Sequence, residues 1–161
     1  MARSNRLARR DEMISRTTAN PEIRELAQRL LTHEATANDP SEVTMLPVMR
    51  VSEKLRRALS TLAGSSGFRS LLTRALSLAK VEVPALSAVQ IKPDGSLEGL
   101  NLLADQHHSA EAGVILIAKL LGLLIVFIGQ SLTLKFVRDV WPDFPVADTE
   151  PLEKNDHERA R

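Results

Sequence analysis

Residues 112–137 read AGVILIAKLLGLLIVFIGQSLTLKFV, an almost unbroken aliphatic stretch in a chain that is otherwise polar. As a helix, residues 112–134 would extend roughly 34 Å, which is enough to cross the ~30 Å hydrocarbon core of a bilayer. Apolar surface on this scale has to leave water, and it can enter a bilayer, a partner or the core of its own chain. That choice decides both the fold and the class of function.

The energy of membrane insertion for this stretch is close to balanced. Twelve Leu, Ile, Val and Phe residues lie in the window 116–134, and they favour insertion by roughly 4–7 kcal/mol. Lys119 opposes insertion by up to about 3.5 kcal/mol, and Gln130, Ser131 and Thr133 reduce the gain further. The three short amphipathic helices predicted in the N-terminal part of the chain can cover one face of such a helix but little of its remaining surface. The sequence therefore predicts that something outside the monomer covers it.

Small and polar residues share one sector of the wheel if the stretch forms one continuous helix. Small side chains let a second helix approach closely, whether in lipid or at a subunit interface. The predicted helix-packing surface consists of Ala118, Gly122, Gly129, Gln130 and Thr133.

The rest of the chain predicts a mostly α fold: a small helical bundle with a short β-hairpin and one long apolar C-terminal helix. Asn20-Pro21 begins an amphipathic helix over about 21–35. Two further helices, one from about Ser41 or Val48 to Ala63 and one over about 68–80, flank the break Gly64-Ser65-Ser66-Gly67. The turn signal Lys92-Pro93-Asp94-Gly95-Ser96 predicts a hairpin over 87–99. A long helix, broken at most once, is predicted from about 103 to Trp141-Pro142.

This pattern divides the chain into four segments. They are a flexible basic N-terminus (1–20), a helical region with a hairpin (21–100), the long apolar helix (103–141) and a disordered acidic tail (142–161).

Charge is unevenly distributed, although the net charge is only +1. Residues 1–80 contain 14 Lys and Arg against 8 Asp and Glu, whereas residues 81–161 contain 7 against 12. The predicted basic surface is formed by Arg50, Lys54, Arg56 and Arg57. Anionic lipid could bind such a surface, whereas the lack of aromatic residues among these cations argues against nucleic acid. An ordinary solvated helix face is the preferred interpretation of these residues.

No residue pattern predicts an enzyme. The chain has no cysteine, which excludes disulfides, Cys-ligated metals and a Cys nucleophile. Asp105, His107, His108 and Glu111 could approach a metal ion on one helix, but a solvated first turn explains them equally simply. Ser77 and Lys80 match the S-x-x-K pattern of serine acyl-enzymes without the partner motifs that chemistry requires. We therefore expect no catalytic residue, metal or cofactor.

Several short motifs resemble those of a group of bacterial proteins with no established function, over about residues 48–142. They are SEKLR at 52–56, GFRSLL at 67–72, DGSLEGL at 94–100, FIG at 127–129 and VWP at 140–142. The resemblance implies no activity, cofactor or site residue.

The leading functional hypothesis is a non-enzymatic, membrane-associated helical interaction protein on the cytoplasmic side, with residues 112–137 inserting in the bilayer or self-associating. The alternative is a soluble cytoplasmic homo-oligomer, an interaction module that buries the same helix at its subunit interface.

Overall fold

The computed structural model describes residues 21–36, 46–100 and 106–144, and of residues 106–108 the backbone alone. Their elements are α1 (Pro21–Thr36), α2 (Pro47–Glu82), a 3-10 turn (Pro84–Ala88), β1 (Gln90–Ile91), β2 (Leu97–Glu98), α3 (Gln106–Ile128) and α4 (Gln130–Val140). The predicted mostly α fold with a short hairpin is confirmed. The predicted flexible terminus, 1–20, and nearly all of the predicted tail lie outside the described residues.

Helix α1 packs through a single face. Pro21 occupies its first turn, where the missing N–H costs nothing, and Ile23, Ala27, Leu30 and Glu34 are its buried residues. The spacing of four, three and four places them on one line of the helix surface. Three of the four are the expected apolar residues, and the fourth is a carboxylate.

Helix α2 is bent at Gly64, where the sequence predicts a break. Gly64 has φ 78° and ψ 165°, which is not helical. Arg56 and Phe68 would be about 18 Å apart along a straight helix, yet both side chains lie against Gly95. The two halves of α2 therefore turn back toward each other. Leu62, two residues before Gly64, is exposed beside this bend.

The β-hairpin is anchored on both halves of α2. Gln90 pairs with Glu98 and Ile91 with Leu97, in antiparallel register. The Asp94 carboxylate accepts hydrogen bonds from the backbone N–H and the hydroxyl of Ser96 (2.9 and 2.6 Å), which stabilises the turn. A hairpin this short depends on such packing because two isolated strands are marginal in water.

The apolar stretch forms helix α3, and α3 is the central element of the fold. From 112 to 124 every residue is buried except Val114, which is half-buried. Its side chains belong to one core together with those of α1, both halves of α2, the hairpin and α4. The nearly buried Lys119 amine lies 3.4 Å from the Glu82 carboxylate of α2, so the one cation of α3 keeps a counter-charge.

Two expectations about this stretch are wrong. The long helix is not the C-terminal element, because it ends at Ile128 and the amphipathic helix α4 follows after Gly129. The expectation that the monomer cannot cover α3 fails for 112–124, because the long bent helix α2 and helix α1 pack against it and bury these residues. Helix α3 is still long and apolar enough to span a bilayer (Ser109–Ile128), but 67% of its most apolar window is buried inside the fold.

Candidate functional site

The junction between α3 and α4 exposes apolar side chains. A single residue, Gly129, connects the two helices with φ 88° and ψ 161°, a conformation that is essentially restricted to glycine. Phe127 is 51% exposed and Leu132 is 49% exposed, and Ile128 is half-buried. We call residues 127–132 the corner surface. It begins where the cover of α3 by the rest of the chain ends.

The corner surface lies in a segment without negative charge. No Asp or Glu occurs between Glu111 and Asp139. Lys135 and Arg138 are exposed on α4, next to the corner surface in the chain. An exposed apolar surface that has cations but no acid within six residues of it is suited to a partner that is both apolar and anionic.

A buried polar cluster lies at the other end of α4. The Glu34 side chain is completely buried, and its Oε1 accepts hydrogen bonds from Lys54 Nζ (2.5 Å) and from Trp141 Nε1 (2.7 Å). These contacts join α1, α2 and the residue that follows α4. Among the described residues, neither Glu34 Oε2 nor Arg50 Nε has a hydrogen-bond partner, although both atoms are buried.

The Glu34 carboxyl is ionised despite its burial. Burial by itself raises the pKa of a carboxyl group. Hydrogen bonds from Lys54 and Trp141, together with the positive charges of Lys54 and Arg50, outweigh that effect and hold the pKa of Glu34 below its ordinary value. Sequence reasoning missed Glu34 as a structural residue. The available signal was its position four residues after Leu30, on the apolar face of α1.

The predicted basic surface is only partly a surface. Arg50 is 6% exposed, so its assignment to the surface is wrong; its charge lies within range of buried Glu34. Lys54 is bound to Glu34 as described. Arg56 donates to both carboxylate oxygens of Glu53, and the exposed Arg57 lies 3.6 Å from the same carboxylate. The carboxylates of Glu34 and Glu53 therefore already balance most of this positive charge within the chain.

The predicted helix-packing residues do not share one surface. Ala118, Gly122 and Thr133 are buried inside the monomer, whereas Gly129 and Gln130 are exposed. The wheel assumed one continuous helix, and the bend at Gly129 changes the direction of everything after it. The Thr133 hydroxyl donates to the Gly129 carbonyl (2.7 Å), which satisfies this buried hydroxyl. Whether any of these residues contributes to self-association stays a prediction.

A cavity of about 750 Å³ lies between α1 and the first turns of α2 and α3. Its wall is mixed, with the charged side chains of Arg24 and Glu111 and apolar side chains such as Leu31 and Val48. Ala35, in the last turn of α1, and Leu46, which precedes α2, also line it.

The candidate chemistry considered from sequence is not assembled in the described part of the chain. Glu111 is exposed, while Asp105 and the side chains of His107 and His108 fall outside what the structure describes. The Ser77 hydroxyl donates to the Thr73 carbonyl of its own helix (3.0 Å). The absence of an enzyme activity stays a prediction.

Comparison with known proteins gives no relative: no family model, no curated protein and no solved structure matches the chain.

Proposed function

We propose that this protein is a non-enzymatic helical module that attaches to an anionic membrane surface through the corner surface, residues 127–132. The observation that carries the proposal is the change in burial along the apolar stretch. Its first half is enclosed by its own chain, and its end presents Phe127 and Leu132 to solvent. Attachment through this end leaves the core intact.

The energies favour attachment at the surface over a full span. A span requires α3 to leave a core in which each buried Leu contributes about 2–5 kcal/mol, whereas insertion of the stretch gains only about 4–7 kcal/mol before polar groups are subtracted. Covering the exposed halves of Phe127 and Leu132 gains about 1–1.5 kcal/mol each. A nearby cation such as Lys135 adds about 1 kcal/mol at an anionic surface. The expected binding is weak and reversible.

Vesicle flotation tests the proposal directly. The protein, purified without detergent, is mixed with phosphatidylcholine vesicles that do or do not contain phosphatidylglycerol. We expect flotation with the anionic vesicles. The double variant Phe127→Ser and Leu132→Ser should stay at the bottom of the gradient while keeping the circular dichroism of the parent and a cooperative unfolding transition.

A matched control comes from two other exposed apolar residues. Leu62 and Val81 are 69% and 81% exposed, and the double variant Leu62→Ser and Val81→Ser removes as many apolar side chains elsewhere. It should float like the parent. Failure of the parent to float, or equal flotation of both double variants, would contradict the proposal.

A second copy of the chain is the alternative occupant of the corner surface, because an exposed aromatic and an exposed aliphatic side chain also suit a subunit interface. Light scattering without vesicles distinguishes the two. A dimer mass that the Phe127→Ser and Leu132→Ser variant abolishes, with no flotation of the parent, would assign the corner surface to self-association.

A further inference from the structure

Helix α4 is attached to the fold very differently at its two ends. At its start it is joined to α3 through Gly129, which is exposed, and a Cβ added there would meet no atom within 4 Å. At its far end, Trp141 and Phe144 are both buried and both contact α1. The start of α4 is therefore an exposed connection, whereas its end is packed against α1.

The contact with α1 consists of two aromatic side chains. The Trp141 indole N–H donates to Glu34 Oε1 (2.7 Å). The Phe144 ring meets the His33 ring edge-on, with 5.7 Å between centroids, and the Arg29 guanidinium lies 5.3 Å from the centre of the Phe144 ring. We call these contacts of Trp141 and Phe144 with α1 the latch.

The latch can open without leaving the buried Glu34 carboxylate unpaired. When Trp141 leaves, the Glu34 carboxylate keeps its hydrogen bond from Lys54 and the nearby charge of Arg50. The carboxylate therefore keeps its counter-charges in the open state. Opening also uncovers the buried side chains of Leu134, Val137 and Trp141, so it requires the acyl chains of a membrane to cover them.

Helix α4 also has a composition suited to lie at a bilayer surface. Its inner face carries Leu134 and Val137, which are buried in the folded chain, and its exposed outer face carries Lys135, Arg138 and Asp139, with a net charge of +1. An amphipathic helix with basic residues on its polar face lies in the interface of an anionic membrane, with its apolar face toward the acyl chains. Trp141 would then sit where tryptophan is preferred, at the boundary between acyl chains and headgroups.

We propose that α4 is a strap that releases at the Trp141–Glu34 hydrogen bond and turns about Gly129 to lie in the headgroup region of an anionic bilayer. The inference rests on the membrane attachment proposed above and adds its regulation. In water the strap is closed and the inner face of α4 completes the core. On the membrane the acyl chains cover that face instead, and contact with the bilayer becomes larger than the corner surface alone provides.

The chain supplies its own reporter, because Trp141 is its only tryptophan. Its fluorescence is followed during titration with anionic vesicles whose acyl chains are brominated, since bromine quenches indoles that enter the membrane. We expect quenching that rises with lipid. The variant Glu34→Gln keeps an acceptor but loses the charge, and it should reach half-quenching at roughly threefold to tenfold less lipid, the range expected from weakening one hydrogen bond.

The control variant is Glu53→Gln, which makes the same change of charge at a carboxylate bound by Arg56 and Arg57. It should titrate like the parent. If Glu34→Gln does not fold, Phe144→Ala weakens the latch without touching the buried charge, and the same shift toward less lipid is expected.

The outcomes separate this inference from the attachment it rests on. Flotation without quenching of Trp141, or equal half-quenching points for the parent and a folded latch variant, overturns the strap and leaves membrane attachment in place. Absence of flotation overturns both.

Discussion

At the residue scale, the central finding is that a few polar or glycine residues, such as Glu34 and Gly129, determine how the helices pack around the apolar helix α3. Glu34 was foreseeable from its place on the apolar face of α1, but its partners Lys54 and Trp141 come from distant parts of the sequence. Arg50 was misassigned because a wheel of one helix does not reveal that the start of α2 is covered on several sides. Gly129 was placed within a helix because one glycine in an apolar run is a weak break signal compared with the Gly64–Gly67 motif.

Glu34 should make stability depend on pH with a defined sign. Its pKa in the folded chain lies below the ordinary value of 4.5, so its ionised form stabilises the fold above that pH. This contribution is lost as pH falls below 4.5 through the folded-state pKa. We predict that Glu34→Gln lowers the urea midpoint at neutral pH and that the difference from the parent narrows on acidification. A difference that stays constant with pH would contradict this role.

Gly129 should be intolerant of any side chain because of its backbone angles alone. Nothing lies within 4 Å of the added Cβ, so a clash plays no part. The conformation φ 88°, ψ 161° costs about 1–3 kcal/mol for a residue other than glycine. We predict a loss of that size for Gly129→Ala in urea denaturation, whereas Gln130→Ala, at the exposed neighbouring position, should change stability by less than about 0.5 kcal/mol. Equal effects would argue that the bend is not fixed by Gly129.

At the element scale, the apolar and amphipathic helices were largely predictable, and their contacts were not. The spacing of Ile23, Ala27 and Leu30 is sufficient to predict α1, and Pro142 correctly indicates the end of α4. The 3-10 turn at Pro84–Ala88 was not expected, since a five-residue turn leaves no periodic pattern. Periodicity finds an amphipathic helix, but α3 is buried nearly all round and has no single face to detect.

A pair of Leu→Ala substitutions should separate the covered helix from the exposed one. Leu121 is completely buried in α3, while Leu132 is 49% exposed at the start of α4. We predict that Leu121→Ala costs about 2–5 kcal/mol in the free energy of unfolding. Leu132→Ala should cost less than about 1 kcal/mol because it leaves no enclosed cavity. Similar costs at both positions would contradict the burial described for α3.

At the scale of the whole molecule, composition alone could not distinguish a membrane helix from a core helix, because both are stretches of about twenty apolar residues. The outcome depends on how much of the apolar helix the remaining chain buries, and α1 together with the long bent α2 buries more of it than the sequence indicated. The result is one core built around α3, with a membrane-facing role proposed for the end of α3 and for α4. That the apolar helix spans a membrane, or that the chain self-associates through it, stays a prediction.

The most direct test of the central claim uses cysteine as a probe, because the chain contains none of its own. Ala118 is 2% exposed in the middle of α3, whereas Ala110 is exposed near its start, so the variants Ala118→Cys and Ala110→Cys make the same change in two environments. In detergent-free buffer we predict prompt reaction of Ala110→Cys with a thiol reagent and protection of Ala118→Cys until denaturant is added. Equally fast reaction of both variants in the folded protein would contradict the claim that the chain encloses its own apolar helix.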